Sequence, residues 1–452
     1  MLQLDKFVRS SEDPCPKRDI FNPSYYKLTP ENIPFTLELI TLTDIVEENT
    51  PVEIRSDSHN YQISHLKRYL KYKYFVARIR GQEKSFAFGS LDFEGEANLF
   101  DGIIYVNDKL HFIEGVQTLE SFNAKLDLAG KSALSDKWGT RKWVEEKKYL
   151  YYTEDDIEPV SHIKDYINTP YGRGKPSFIK EWRQHINLLY KVDYSKEWYA
   201  QRTNTKKVCS VNVLLDSYCM ENVFRYNIKE AIHETIILYG CLDFLYRIID
   251  FANIGKSNHF GFRIAKITVL MEGNNDLLPL QRGFFPLNEI PLADKYTKFI
   301  SSMSLGDGKC SGTSFTFQNL EGTAGQAFLG SEDSGIFMDN MVEPLANRNM
   351  AFVNYMHPYT HKIRIRGSIL NTLAHEIGHT FGAVHEESTS CYRRKYLLMA
   401  EDMREFDGFD SFKFSHCNVD LMKKIIDTRM GKFANCPHNL SVYYDNLVYP
   451  KF

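Results

Sequence analysis

Eleven residues, His375 to His385 in "HEIGHTFGAVH", constrain this chain more than any other stretch. His375 and His379 are four apart, so on a predicted helix their side chains share one face, with Cβ atoms about 5–6 Å apart, near enough to hold one cation. A zinc site with an open position for water needs a third protein ligand, and His385 supplies it if the chain leaves the helix and turns back. Gly382 stands where that turn must fall, and glycine tolerates the left-handed backbone common at helix C-termini. Glu376 follows the first ligand by about 100° of helix, which sets its carboxylate beside the open position and off the metal. One catalytic zinc is therefore expected, with Glu376 as the base that activates a zinc-bound water and peptide hydrolysis as the natural reaction. Other histidines, such as His233 and His416, have no partner at ligand spacing and read as surface or satisfied core residues.

Composition narrows the alternatives. With 55 basic against 58 acidic residues and a net charge of -3, nothing in the charge favours nucleic acid or an anionic membrane as a partner. No stretch approaches the roughly 18 apolar residues of a membrane span, and "MLQLDKFVRSSEDPCPK" lacks the apolar core of a signal peptide. The eight cysteines form no CxxC pair, so they read as disulfides or buried thiols and not as metal ligands. Asn439 begins the one glycosylation sequon.

The grammar of the chain changes along its length. Residues 34 to 120 alternate apolar and polar positions in short runs such as "KSFAFGSLDF" and "GIIYVNDKLHFIEG", which predicts strands in a meander or sandwich. Residues 121 to 204 read as a connecting, partly disordered segment. From about 205 to 440 strands alternate with helices: "VCSVNVLLD", a long helix from Asn227, "FRIAKITVLME", a helix at 292 to 303, "TSFTFQNL", a Gly-rich strand over 322 to 330, and "MAFVNYM". Residues 441 to 452 are a tail.

The frame "HEIGHTFGAVH", followed by Met399 in "YLLMA" fourteen residues after His385, resembles the metzincin zinc proteases. Gly378 in "AHEIGHTFG", and the run from "KVCSVNVLL" to "FKFSHCNVDLMKKIIDTRMGKFANC", resemble the ADAM (adamalysin/reprolysin) family, especially its ectodomain-shedding branch. "FGSLDFEGEANLFDGIIYVNDKLHFIEG" is similar to that family's prodomain. The resemblance implies an α/β metzincin catalytic domain, a mixed twisted sheet with long helices, active-site helix and Met-turn, preceded by a mainly β prodomain over 1 to 120. It further implies zinc on His375, His379 and His385, catalysis by Glu376, and Met399 as the apolar floor. Gly322, Thr323, Ala324, Gly325, Gln326, Ala327, Phe328, Leu329 and Gly330 would be the edge strand that pairs with an extended protein or peptide substrate; an interior strand with close backbone packing is the other reading. Cys209 would pair with Cys310 and Cys391 with Cys417, which implies an extracellular or secretory compartment. Cys219 and Cys241 stay open between a bridge and two buried thiols, and Cys436 has no assigned partner. No cysteine lies between Cys15 and Cys209, so the prodomain is expected to inhibit by steric block.

One position departs from the family. Glu386 stands where Asp is usual, a habit of the astacins, so an astacin-like protease is an alternative, and so is an exposed charge after the helix. An idle protein that keeps the fold for binding is a further alternative from a different class.

Overall fold

In the strands "SFAFGSL" and "FDGIIYV" the pleat sends successive side chains to opposite faces of a sheet, and both faces are buried in the protein. The computed structural model describes residues 24–27, 36–42, 45–46, 49–56, 61–70, 72–82, 84–91, 100–107, 109–115, 142–144, 149–154, 157, 205–249, 260–271, 292–302, 310–330, 350–389, 396–400, 409–410, 412–429 and 434–437. The tail at 441 to 452, the sequon at Asn439, Cys15, Cys391 and most of 121 to 204 lie outside these residues.

In chain order the N-terminal part gives β1 (Ser24–Lys27), β2 (Thr36–Leu42), β3 (Pro51–Arg55), β4 (Tyr61–His65), β5 (Lys73–Ile79), β6 (Ser85–Leu91), β7 (Phe100–Val106), β8 (Lys109–Gly115), β9 (Lys142–Val144) and β10 (Tyr149–Thr153). Eight of these strands form an antiparallel sheet in the order β1-β2-β5-β6-β7-β8-β10-β9. Two findings depart from the sequence reading. The segment from residue 121 contributes β9 and β10, which continue this sheet beyond β8; their short aromatic and charged runs, "KWV" and "YLYYT", carry too little alternation to announce a strand. And β3 and β4 leave the meander to join a second sheet.

The second part supplies β11 (Thr205–Leu215), α1 (Ser217–Asn222), α2 (Ile228–Arg247), β12 (Phe260–Leu270), α3 (Leu292–Ser302), β13 (Ser311–Thr316), β14 (Gly325–Ala327), β15 (Met350–Asn354), α4 (Arg366–Thr380), β16 (Tyr396–Leu397), β17 (Phe409–Asp410), α5 (His416–Arg429) and β18 (Ala434–Pro437). Its sheet runs β14-β15-β13-β11-β12-β3-β4, with β18 antiparallel to the start of β11. Pairings between β11, β12, β13, β15 and β3 are parallel, whereas β14 and β4 at the two ends are antiparallel to their neighbours. Short polar side chains start the helices that follow: Asp216 accepts from the Cys219 N–H at 2.7 Å to cap α1, and Asn227 from the Glu230 N–H at 3.3 Å to cap α2.

One apolar core joins the two sheets through α2. Phe86 and Phe88 of β6, Tyr105 of β7, Phe112 of β8 and Tyr152 of β10 pack with Val211, Val213, Phe244 and Ile377. Phe86 stacks on Phe244 with centroids 4.0 Å apart, and burying each such ring contributes about 1.5–3 kcal/mol. Gly240 lets α2 come this close, because a Cβ there would fall 1.9 Å from the Phe88 ring. The alternate residues, among them Ala87, Ile104, Val106 and Ile113, form a second cluster on the other face of the N-terminal sheet. A third, with Tyr296 and Ile300 of α3 against Leu214, Met350 and Phe352, covers the opposite face of the mixed sheet. No helix among the described residues is long and apolar enough to cross a membrane.

Candidate metal centre

The candidate ligands hang from α4, which is buried along its whole length. His375 and His379 project from one face, as their spacing requires, and the helix ends at Thr380. Gly382 then takes φ +90°, in the left-handed region, while its N–H donates to His379 O at 2.9 Å and the Ala383 N–H donates to Gly378 O at 2.9 Å. These bonds satisfy the last carbonyls of the helix and reverse the chain. His385 arrives beside the other two, and the three Nε2 atoms lie 3.0, 3.2 and 3.3 Å apart.

The tautomers are fixed from behind. His375 Nδ1 lies 2.7 Å from Leu398 O, and His379 Nδ1 lies 2.8 Å from Ala383 O. A carbonyl oxygen only accepts, so each Nδ1 carries the proton and each Nε2 presents a lone pair inward. Two lone pairs facing at 3.0 Å repel unless a cation lies between them, and three nitrogens about 2.0–2.1 Å from a tetrahedral zinc would sit near these separations. The donor set therefore fits zinc. Among the described residues these three histidines are the one group of ligand side chains close enough to share an ion.

Met399 is fully buried and packs against the helix that carries His375 and His379. A Cβ on Gly378 would fall 2.9 Å from its sulfur and 3.0 Å from the Phe414 ring, so glycine lets both pack against α4. The same loop holds the site's surroundings: Leu398 O fixes His375, and Met399 O accepts from the Glu386 N–H at 2.9 Å.

Glu386 is not an exposed charge. Its side chain is buried, and Oε1 accepts from Asn418 Nδ2 at 2.8 Å, while Asn418 Oδ1 accepts from the Val384 N–H at 2.8 Å. Burial pushes its carboxyl above the usual range, opposed by the hydrogen bonds from Asn418 and Ser415. Glu386 thus ties the segment carrying His385 to the start of α5.

Glu376 is fully buried beside β14: a Cβ on Gly325 would fall 2.6 Å from its Oε1 and 2.6 Å from Thr372 Cγ2. The Gly-rich segment is only partly a strand. Glu321 and Gly322 adopt positive φ in a turn, so pairing with β15 is limited to Gly325, Gln326 and Ala327, and the Gly330 N–H donates to His379 O at 2.7 Å. Thr323 and Ala324 lead into the strand, while Phe328 and Leu329 lead out of it toward the end of α4. β14 is the end strand among the described residues of this sheet. Its Gln326 faces away from α4, bonded to Thr297 and Asp294 of α3.

Arg364 lies just ahead of α4. Its guanidinium donates to Asn354 O at 2.8 Å, to Ser368 O at 2.6 Å and to the Thr372 hydroxyl, clamping β15 to the first turns of α4. A single arginine ahead of a helix gives no signal of this.

Cys209 and Cys310 form a disulfide between β11 and the entry to β13. Cys219 and Cys241 are separate buried thiols and not an additional bridge. Cys417 is disulfide-bonded, while Cys391, its expected partner, lies outside the described residues.

No curated protein matches the chain. Residues 243–408, which hold the three histidines, Glu376 and Met399, match the Reprolysin_5 family model, metallo-peptidase family M12. With the mixed α/β sheet this fits a metzincin-like fold, and the stretch is similar to the proteolytic domain of a zinc-dependent metallopeptidase family.

Proposed function

We propose that this protein is a zinc endopeptidase that cleaves extended segments of protein substrates, akin to the shedding branch of the ADAM family, outside the cell or in the secretory pathway. The observation that carries the reading is the inward-facing triad of Nε2 atoms, with His375 and His379 committed through Nδ1 to backbone carbonyls. A zinc ion held by His375, His379 and His385 supplies positive charge that acidifies a water and polarises a carbonyl oxygen. The Glu376 carboxylate takes a proton from the attacking water and passes it to the leaving amine. Gly325 keeps the space beside Glu376 Oε1 free of a side chain, and β14 offers an end strand to which an extended peptide adds by backbone pairing. Gln326, tied to α3, and Arg364, clamped to β15 and α4, hold β14 and the start of α4 in place.

The test is Glu376→Ala in the purified chain, assayed on an unstructured peptide. Cleavage should fall by about 10²–10⁴-fold with one zinc retained. Cleavage at the wild-type rate would remove Glu376 as the base, and a zinc-loaded wild type with no turnover over a diverse peptide library would favour an idle binding protein.

A further inference from the structure

The helix that carries His375, Glu376 and His379 starts without a cap of its own. Its N-cap residue is Ile365, whose side chain makes no capping hydrogen bond, so the first-turn N–H groups need acceptors from outside the helix. The N-terminal sheet provides them. The Arg366 N–H donates to Glu114 Oε1 at 2.9 Å, the Gly367 N–H donates to the Tyr152 hydroxyl at 2.8 Å, and Tyr152 in turn donates to the same Glu114 oxygen. Glu114 of β8 is fully buried, and a carboxylate at a helix N-terminus is stabilised by the aligned peptide dipoles.

The Arg366 side chain continues the contact. It pairs with Asp101 of β7 and with Glu234 of α2 at 2.6 Å, and donates to Ile113 O at 3.3 Å. His233 of α2 lies 3.0 Å from the other Asp101 oxygen and 2.9 Å from the Tyr74 hydroxyl of β5. Packing at the junction leaves no slack: a Cβ on Gly367 would meet Ile157 at 2.4 Å and the Tyr152 ring at 3.1 Å. Independently, β3 pairs in parallel with β12 over Val52 to Arg55, so part of the N-terminal region is a strand of the zinc-site sheet itself. Separating the two parts would expose a joint core, open a sheet edge and strand several buried charges at once.

We propose that the N-terminal sheet is a permanent capping partner of the active-site helix, with Glu114 and Tyr152 as positioning residues, and that it stays bound when the chain between 158 and 204 is cut. It rests on the proposed zinc protease only in the activity readout; retention and helix capping are measured without it.

Two experiments test it. In the first, a recognition sequence for a specific protease is inserted between Gly172 and Arg173 of the full chain and cut, and the product is sized at pH 7 without denaturant. The two pieces should elute together at the size of the intact chain, with the zinc content of the uncut protein. Their separation would overturn the proposal. In the second, amide exchange at Arg366 and Gly367 is compared in wild type, Glu114→Gln and Glu114→Leu. Glu114→Leu should exchange at least tenfold faster there and lower kcat with KM little changed, while Glu114→Gln, which keeps an acceptor oxygen, stays near wild type. Equal protection in wild type and Glu114→Leu would overturn the capping role. If Glu114→Leu does not fold, Tyr152→Phe removes only the hydroxyl that accepts from Gly367 and is read the same way. A wild type that holds no zinc and cleaves nothing contradicts the protease reading, and the sizing and exchange results still decide this one.

Discussion

Glu386 follows a candidate ligand directly, yet its role is set by residues far along the chain. Asn418 Nδ2 binds its carboxylate and Met399 O takes its N–H. Removing the side chain leaves a buried amide without its acceptor, which costs about 1–3 kcal/mol. Glu386→Ala should therefore lower the free energy of urea unfolding by that amount, whereas Glu386→Gln, which retains Oε1, should stay within about 1 kcal/mol of wild type. Equal stability of Glu386→Ala and wild type would show that the Asn418 contact holds nothing. The contrast with the histidines explains what could be read from sequence. Two candidate ligands and a candidate base on one helix, with a third histidine after a glycine turn, are a local pattern that fits within eleven residues of sequence. Burial of Glu386, and the clamp made by Arg364, depend on partners that only the folded chain brings together.

At the scale of elements, the turn after α4 decides whether His385 reaches the other two histidines. Gly382 holds φ +90°, and a Cβ there would lie 2.8 Å from Ile425 Cγ1 and 3.2 Å from Gly330 O. Gly382→Ala should thus cost more than about 1 kcal/mol and weaken zinc binding together, as measured by thermal unfolding and by competition with a chelator. A variant with unchanged stability and zinc affinity would show that the turn does not need this glycine. Most helices and strands of the second part were legible because their apolar period is long and regular. β14 was less so, since glycines at 322, 325 and 330 look alike in sequence but serve a turn, a close approach to Glu376 and a contact with the end of α4. The transfer of β3 to the second, mixed sheet was not legible at all, because a half-buried strand has the same alternation whichever sheet it joins.

Across the whole molecule, the two sheets meet through buried charge as well as through the apolar core. Burial alone would raise the Asp101 carboxyl, but Arg366 beside it and the hydrogen bond from His233 hold it well below the ordinary carboxylate range. A carboxylate whose folded pKa is depressed stabilises the fold fully above its unfolded value of about 4, and that contribution is lost as pH falls through the folded value. Wild type should accordingly lose stability below about pH 4, and Asp101→Asn, already weaker at pH 7, should lose less, with a slope lower by up to about one proton. Parallel pH profiles for the two proteins in urea unfolding would show that Asp101 does not couple the sheets.

The account turns on whether His375, His379 and His385 hold a metal, and the direct measurement is zinc per chain in the purified protein, for wild type and for His379→Ala. The expected result is one zinc in wild type, removed by a chelator and restored on adding zinc, and little or none in His379→Ala with the chain still folded. A wild type that binds no zinc, or a His379→Ala protein that keeps a full equivalent, would contradict it.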